Sequence, residues 1–270
     1  MLMSESILKS RHSCHSRRSM PGPIILRPIN NDMIKTDLDN HKVVSLNEWI
    51  EARKRFLTQE KEFTRLRDQL SRQRRELPWV KVDKNYVFDG PSGKTTLAEL
   101  FEGRSQLVVY HFMFAPDWEE GCPSCSFWAD NFNAIAIHLN HRDVSLVAIS
   151  RAPWEKLEAF KRRMGWTFKW LSSGNNDFNY DYHVSFTPEA LNAQVEYNYG
   201  WEEGYSDLPG VSVFYKDGEG NIYHTYSTYA RGIDILNTAY NYLDLVPKGR
   251  DEAELESTQA WVRHHDKYAE

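Results

Sequence analysis

Cys122-Pro123-Ser124-Cys125 follows directly on an apolar run over residues 107–114 and opens a helix-compatible stretch over 126–139. Two cysteines with two residues between them at a helix start lie one turn apart on one face, close enough to form a small disulfide ring. Backbone N–H groups and the positive end of the helix dipole favour the thiolate of the first cysteine. Cys122 therefore reads as a nucleophile and Cys125 as the resolving thiol of a redox-active pair. Pro123 suits the first helical turn, where its missing donor costs nothing. Glu119 and Glu120 stand just ahead. Like-signed carboxylates beside a thiolate raise its pKa, so a less acidic Cys122 and a reducing poise are expected.

Composition narrows the setting. Three cysteines in 270 residues make no disulfide framework, which points to a reducing, cytoplasmic compartment and to a catalytic or metal-binding pair. Cys14 sits apart, in a leader expected to be disordered. A formal net charge of -5 gives no general pull toward nucleic acid or anionic lipid, and neither is expected as a partner. No apolar run approaches the roughly 20 residues that span a bilayer. Phe88 stands five residues before Gly93, where a Walker A loop needs glycine, so nucleotide binding is not supported.

Metal chemistry is the rival use of the two thiols. Cys122, Cys125, His138 and His141 are separated by two, twelve and two residues, close to a zinc-finger spacing. Fingers need three to five residues between the histidines. A continuous helix would also carry His138 roughly 20 Å beyond Cys125 at 1.5 Å per residue. His138 and His141 read instead as helix-end residues. The two thiolates with His111, His183 or His224 remain an alternative ligand set. The leading reading has no metal and no cofactor.

These thiols need elements to position them. Ser45-Leu46-Asn47-Glu48 reads as a capping box for a helix over 45–76, which Pro78 stops. Trp49, Ala52, Phe56, Phe63, Leu66 and Leu70 keep near-heptad spacing with Gln59 interrupting, a seam for a second helix and a candidate homodimer contact, or else a face packed on its own domain. Beyond it, 107–114 reads as a buried strand, the dithiol helix follows, and 144–149 is a second buried strand. A helix between Pro153 and Gly165, a short strand at 168–171, a hairpin from 211 to 226 and a helix over 233–245 complete the pattern. Strand, helix, strand, helix, hairpin and helix describe an α/β, thioredoxin-like three-layer sandwich, a central mixed sheet flanked by helices, with an N-terminal helical extension. The division is a leader at 1–44, the helix at 45–76, the thioredoxin-like domain at 77–247 with an aperiodic insertion near 173–208, and a tail at 248–270. Trp261-Val262 suggests that part of the tail docks.

Longer motifs carry a family resemblance. Leu77-Pro78-Trp79-Val80-Lys81-Val82, Tyr110-His111-Phe112-Met113-Phe114, Asp117-Trp118-Glu119-Glu120-Gly121-Cys122-Pro123-Ser124-Cys125 and Tyr226-Ser227-Thr228-Tyr229-Ala230-Arg231-Gly232 resemble the family catalogued as "domain of unknown function 899" over roughly residues 33–268. The resemblance implies a thioredoxin-like fold of the peroxiredoxin-related kind and no established substrate. More distantly, residues 89–100 and the strand at 107 are similar to the opening of alkyl hydroperoxide reductase and thiol-specific antioxidant proteins. Those place Thr or Ser three residues before the peroxidatic cysteine. Glu119 stands there in this chain, and Cys-Pro-x-Cys looks more like a glutaredoxin or thioredoxin exchange centre.

The fold pattern and the aromatic content also nominate neighbours of the dithiol. Pro209 precedes the strand at 211, where thioredoxin-like folds commonly place a cis proline facing the thiols, although Gly210 replaces the usual Thr. Arg231 follows a strand and is a candidate to stabilise the thiolate; Arg151 reads as a surface residue. Trp118 is a candidate lining of a hydrophobic cleft, with Glu119 and Pro123 in the thiolate environment. The expected activity is thiol-disulfide exchange on a protein or small-molecule disulfide. Thiol peroxidase action on a peroxide, and a redox-sensing or metal-holding role with little turnover, are the alternatives.

Overall fold

The computed structural model describes residues 40–192, 194–203 and 205–268. Its strands in chain order are β1 (Val80–Lys81), β2 (Val87–Gly90), β3 (Gly93–Thr96), β4 (Gln106–His111), β5 (Val144–Ser150), β6 (Lys169–Ser172), β7 (Gln194–Tyr197), β8 (Gly200–Glu203), β9 (Gly210–Lys216) and β10 (Ile222–Tyr229). The α-helices are α1 (Leu46–Arg75), α2 (Pro123–Ala129), α3 (Phe132–Asn140), α4 (Trp154–Arg163), α5 (Phe178–Asp181) and α6 (Thr238–Leu243). The expected leader, with Cys14, falls almost entirely outside the described residues.

Eight strands form one sheet in the order β1-β10-β9-β4-β5-β6-β2-β3, and β7 and β8 pair separately. At its centre β4 and β5 are parallel, as are β5 and β6, whereas β9 runs antiparallel to both β4 and β10. The run β10-β9-β4-β5 with these polarities is the thioredoxin arrangement: a helical crossover joins two parallel strands, and a hairpin adds to the other side of the first. Side chains alternate between two cores, as the two-residue period of a strand requires. Val108, Tyr110, Ala148 and Trp170 face α2, α3 and α4. Leu107, Val109, Val147, Ile149 and Leu171 face α5 and the 3-10 turn Glu99–Phe101. Cover on both faces explains why β4 and β5 read as unbroken apolar runs.

α1 begins at the expected capping box: the Glu48 N–H donates to Ser45 Oγ and the Ser45 N–H to Glu48 Oε2. It buries no residue, so the aromatic seam does not pack on its own domain. Its last turn is tied to the sheet by the Arg74 guanidinium, 4.8 Å from the Tyr226 ring centre.

Two expectations are corrected. The stretch 126–139 is not one helix; α2 ends at Asp130, whose Oδ1 accepts the Trp166 Nε1–H at 2.8 Å, and α3 starts afresh at Phe132. The distance argument against a zinc finger assumed a continuous helix and fails in that form. Among the described residues, however, no three His, Cys, Asp or Glu side chains stand together as ligands. Within the stretch read as an aperiodic insertion, 173–208, the chain forms α5 and the β7–β8 hairpin. The last helix is split into a 3-10 stretch, Ala230–Leu236, and α6, whose start the Asn237 side chain caps by accepting the Tyr240 N–H. No described helix is long and apolar enough to cross a membrane.

Candidate active site

β4 delivers its chain into a buried turn that the dithiol closes. The Cys122 N–H donates to the Met113 carbonyl at 3.0 Å, and the Met113 N–H donates to Cys125 Sγ at 3.4 Å. One residue's backbone therefore holds both cysteines. Gly121 is required by close approach: a Cβ there would lie 2.7 Å from Phe112 Cε1 and 3.0 Å from Phe160 Cε1. Phe112 is itself fixed, its carbonyl accepting the Ser150 hydroxyl at 2.6 Å. Cys122 is the N-cap of α2 with Pro123 in the first turn. Both thiols are free and buried, Cys122 at 7 % exposure and Cys125 at 1 %, while Pro123 lies at the surface beside them.

The two sulfurs are electrostatically unequal. A hydrogen bond from the Cys125 thiol lowers the Cys122 pKa, and the Cys125 and Ser124 N–H groups and the Ser124 hydroxyl add to this against burial. Cys125 is driven the other way, by burial first and the Cys122 sulfur second. Tyr110 stands beside it. Its hydroxyl is fully buried without a partner of regular geometry, and burial, then the Cys125 charge, raises its pKa. Tyr110, Ser124, Cys125, Trp128, Pro209, Ala230, Ile233, Asp234 and Gln259 line a pocket next to Cys125.

The carboxylates expected to burden Cys122 are directed elsewhere. Glu119 points to solvent with its side chain 81 % exposed, its nearest cation Lys156 at 3.9 Å. Glu120 is compensated by Arg163 at 2.6 Å and Lys267 at 2.7 Å. Neither stands among the main influences on Cys122, which on balance lower its pKa from the ordinary thiol value. Pro209 does face the dithiol pocket, but its peptide bond is trans, no cis bond occurring among the described residues. Gly210 replaces Thr for a steric reason: a Cβ would fall 2.6 Å from Tyr229 Cδ1. Arg231 is half exposed and paired at 3.4 Å with Asp234, which lines the pocket next to Cys125. Arg151 is no surface arginine; it is largely buried in a two-pronged pair with Asp207, at 2.8 and 2.5 Å. Trp118 packs at the edge of the core that contains both cysteines. Phe127 of α2 packs on Trp261 at 5.4 Å between ring centres, so the expected docking of the tail is present.

Sequence reasoning alone does not nominate Tyr110, Gln259 or His264 for the site. Tyr110 is within its reach, because alternation along β4 puts it on the dithiol face. His264 is not: its Nε2–H donates to the Gly121 carbonyl at 2.8 Å across 143 residues of chain, and no local signal marks it.

The strand order makes this a protein of the thioredoxin-like class. Residues 38–268 match the model of the family described as "Bacterial protein of unknown function (DUF899)", and the chain belongs to that family. None of the curated proteins matches it. Among solved structures it is similar to peroxiredoxin Q from Xanthomonas campestris, at 14 % identity and a TM-score of 0.40 over 60 % of this chain and 91 % of that one. It is also similar to the peroxidoxin BcpB of Mycobacterium tuberculosis, at 14 % and 0.40 over 59 % and 93 %. A third is the hypothetical protein SMc02350 of Sinorhizobium meliloti, at 16 % and 0.34 over 55 % and 70 %. At such identities and TM-scores these likenesses carry no argument about chemistry, which has to be argued from the site itself.

Proposed function

We propose that this protein is a thiol-disulfide oxidoreductase of the reducing cytoplasm in which Cys122 is the nucleophile and Cys125 the resolving thiol. The observation that supports this best is the inequality of the pair, one thiol acidified at a helix N-cap and its partner held protonated by burial. The Cys122 thiolate attacks one sulfur of a substrate disulfide; that bond breaks and the departing thiolate takes a proton. Cys125 then loses its proton and attacks Cys122, releasing the second substrate thiol and leaving a Cys122–Cys125 disulfide. The substrate gains two electrons and the protein loses two, which an external dithiol restores.

A second reading, a thiol peroxidase using the same pair, is favoured by one feature: the pocket at Cys125 holds the buried Tyr110 hydroxyl, a polar group beside the thiol suited to a small oxidant. With dithiothreitol as donor, reduction of insulin and consumption of hydrogen peroxide tell the two apart. Cys122→Ser is expected to abolish the activity, and Cys125→Ser to trap a mixed disulfide. Full activity in Cys122→Ser, or neither reaction in the unaltered chain, overturns the enzymatic reading and leaves the sensing or metal-holding role.

A further inference from the structure

α1 is an exposed helix of 30 residues whose apolar positions repeat at seven. Trp49, Phe56, Phe63 and Leu70 occupy one core position of that repeat, and Ala52 and Leu66, with Gln59 between them, the other. The four large residues of the first set and Leu66 are each more than half exposed. At 1.5 Å per residue the helix is about 45 Å long, roughly four heptads of seam.

The flanking charges identify what covers it. On one flank the sequence carries Glu48, Arg55 and Glu62, and on the other Arg53, Glu60 and Arg67. In a parallel two-stranded coil a residue of the first flank meets the residue five positions later on the partner helix. Glu48 then faces Arg53, Arg55 faces Glu60 and Glu62 faces Arg67, and symmetry doubles each pair. All are of opposite sign. An antiparallel pairing with full overlap sets Glu60 against Glu60 and Arg53 against Arg67, which repel.

We infer that α1 is a dimerisation arm that pairs with α1 of a second copy as a parallel, in-register coiled coil. Both helices then end side by side at Arg75. The two thioredoxin-like bodies, each tied to its helix by the Arg74–Tyr226 contact, stand at the same end of the coil. Within one chain Arg53 is held by Glu60 at 2.7 Å, so dimerisation exchanges that exposed pair for the Arg55–Glu60 and Glu48–Arg53 pairs between chains.

Light scattering on the full chain at micromolar concentration is expected to give twice the chain mass of 31.7 kDa. With Cys14, Cys122 and Cys125 replaced by Ser, Ala52→Cys is expected to form a disulfide between copies under oxidation, because only a parallel, in-register pairing brings position 52 against itself. Glu62→Arg is expected to weaken dimerisation by about tenfold or more, and the exchange Glu62→Arg with Arg67→Glu to restore it. Three results each overturn the inference: a monomer at tens of micromolar, a dimer that Ala52→Cys does not cross-link, or a charge exchange that fails to rescue. The first would leave the chain's own residues 1–39 or a different protein as the cover of the seam.

Discussion

Donors from Cys125 and Ser124 converge on the Cys122 sulfur, and burial acts on Cys125 with only the Met113 N–H and the Tyr110 hydroxyl to oppose it. The two thiols should therefore part company in pH. Iodoacetamide at about pH 7.5 is expected to modify Cys122 first, at a rate that rises with pH through a midpoint below the ordinary thiol value; Cys125 should react only at alkaline pH or after unfolding. Tyr110→Phe removes an influence that lowers the Cys125 pKa, so it should slow resolution without slowing alkylation of Cys122. Preferential modification of Cys125 would contradict this assignment. The motif itself was legible because the order of residues sets the helix start. The charge balance was not: Glu119 and Glu120 looked like a load on the thiolate, but which way a carboxylate points and what cation it meets depend on Lys156, Arg163 and Lys267, which are distant in sequence.

Among the elements, the tail bears most directly on the site. His264 is buried against Gly121, the residue before Cys122, and accepts the Arg163 NH2 proton at Nδ1, 3.4 Å away, while Nε2–H donates to the Gly121 carbonyl. Both contacts suit the neutral ring, and burial keeps the His264 pKa below its ordinary 6.5. Free His264 takes up a proton as pH falls through about 6.5, whereas docked His264 does not, so the detached tail binds more protons and docking weakens on acidification. Asp266, held down to about 2 chiefly by Arg163, also favours docking, but it loses that contribution only at far lower pH, so the window near neutrality belongs to His264. Hydrogen exchange over residues 259–268, corrected for intrinsic rates, is expected to accelerate between pH 7.5 and 5.5 by at most about tenfold per pH unit. His264→Gln should flatten that response. Unchanged protection across the range would show that His264 does not control docking. Strands β4 and β5 could be read locally because both faces are covered; the tail's place could not, because its contacts close over more than a hundred residues. The break between α2 and α3 escaped for a similar reason, being marked by the Trp166 contact to Asp130 rather than by Gly or Pro.

For the whole molecule, the strand order β10-β9-β4-β5 and the family of the chain fix the architecture, and chemistry then depends on how differently the fold holds the reduced and oxidised dithiol. That difference is the reduction potential. A fold that lowers the Cys122 pKa stabilises the reduced pair and makes the protein more oxidising than a carboxylate-burdened dithiol would be. The measurement that reaches the central claim most directly equilibrates the purified chain in glutathione and dithiothreitol buffers and counts alkylated Cys122 and Cys125 by mass spectrometry. A reversible two-electron couple between roughly -120 and -300 mV, confined to these two residues, is the expected result. Thiols that never pair with each other at any potential would contradict it.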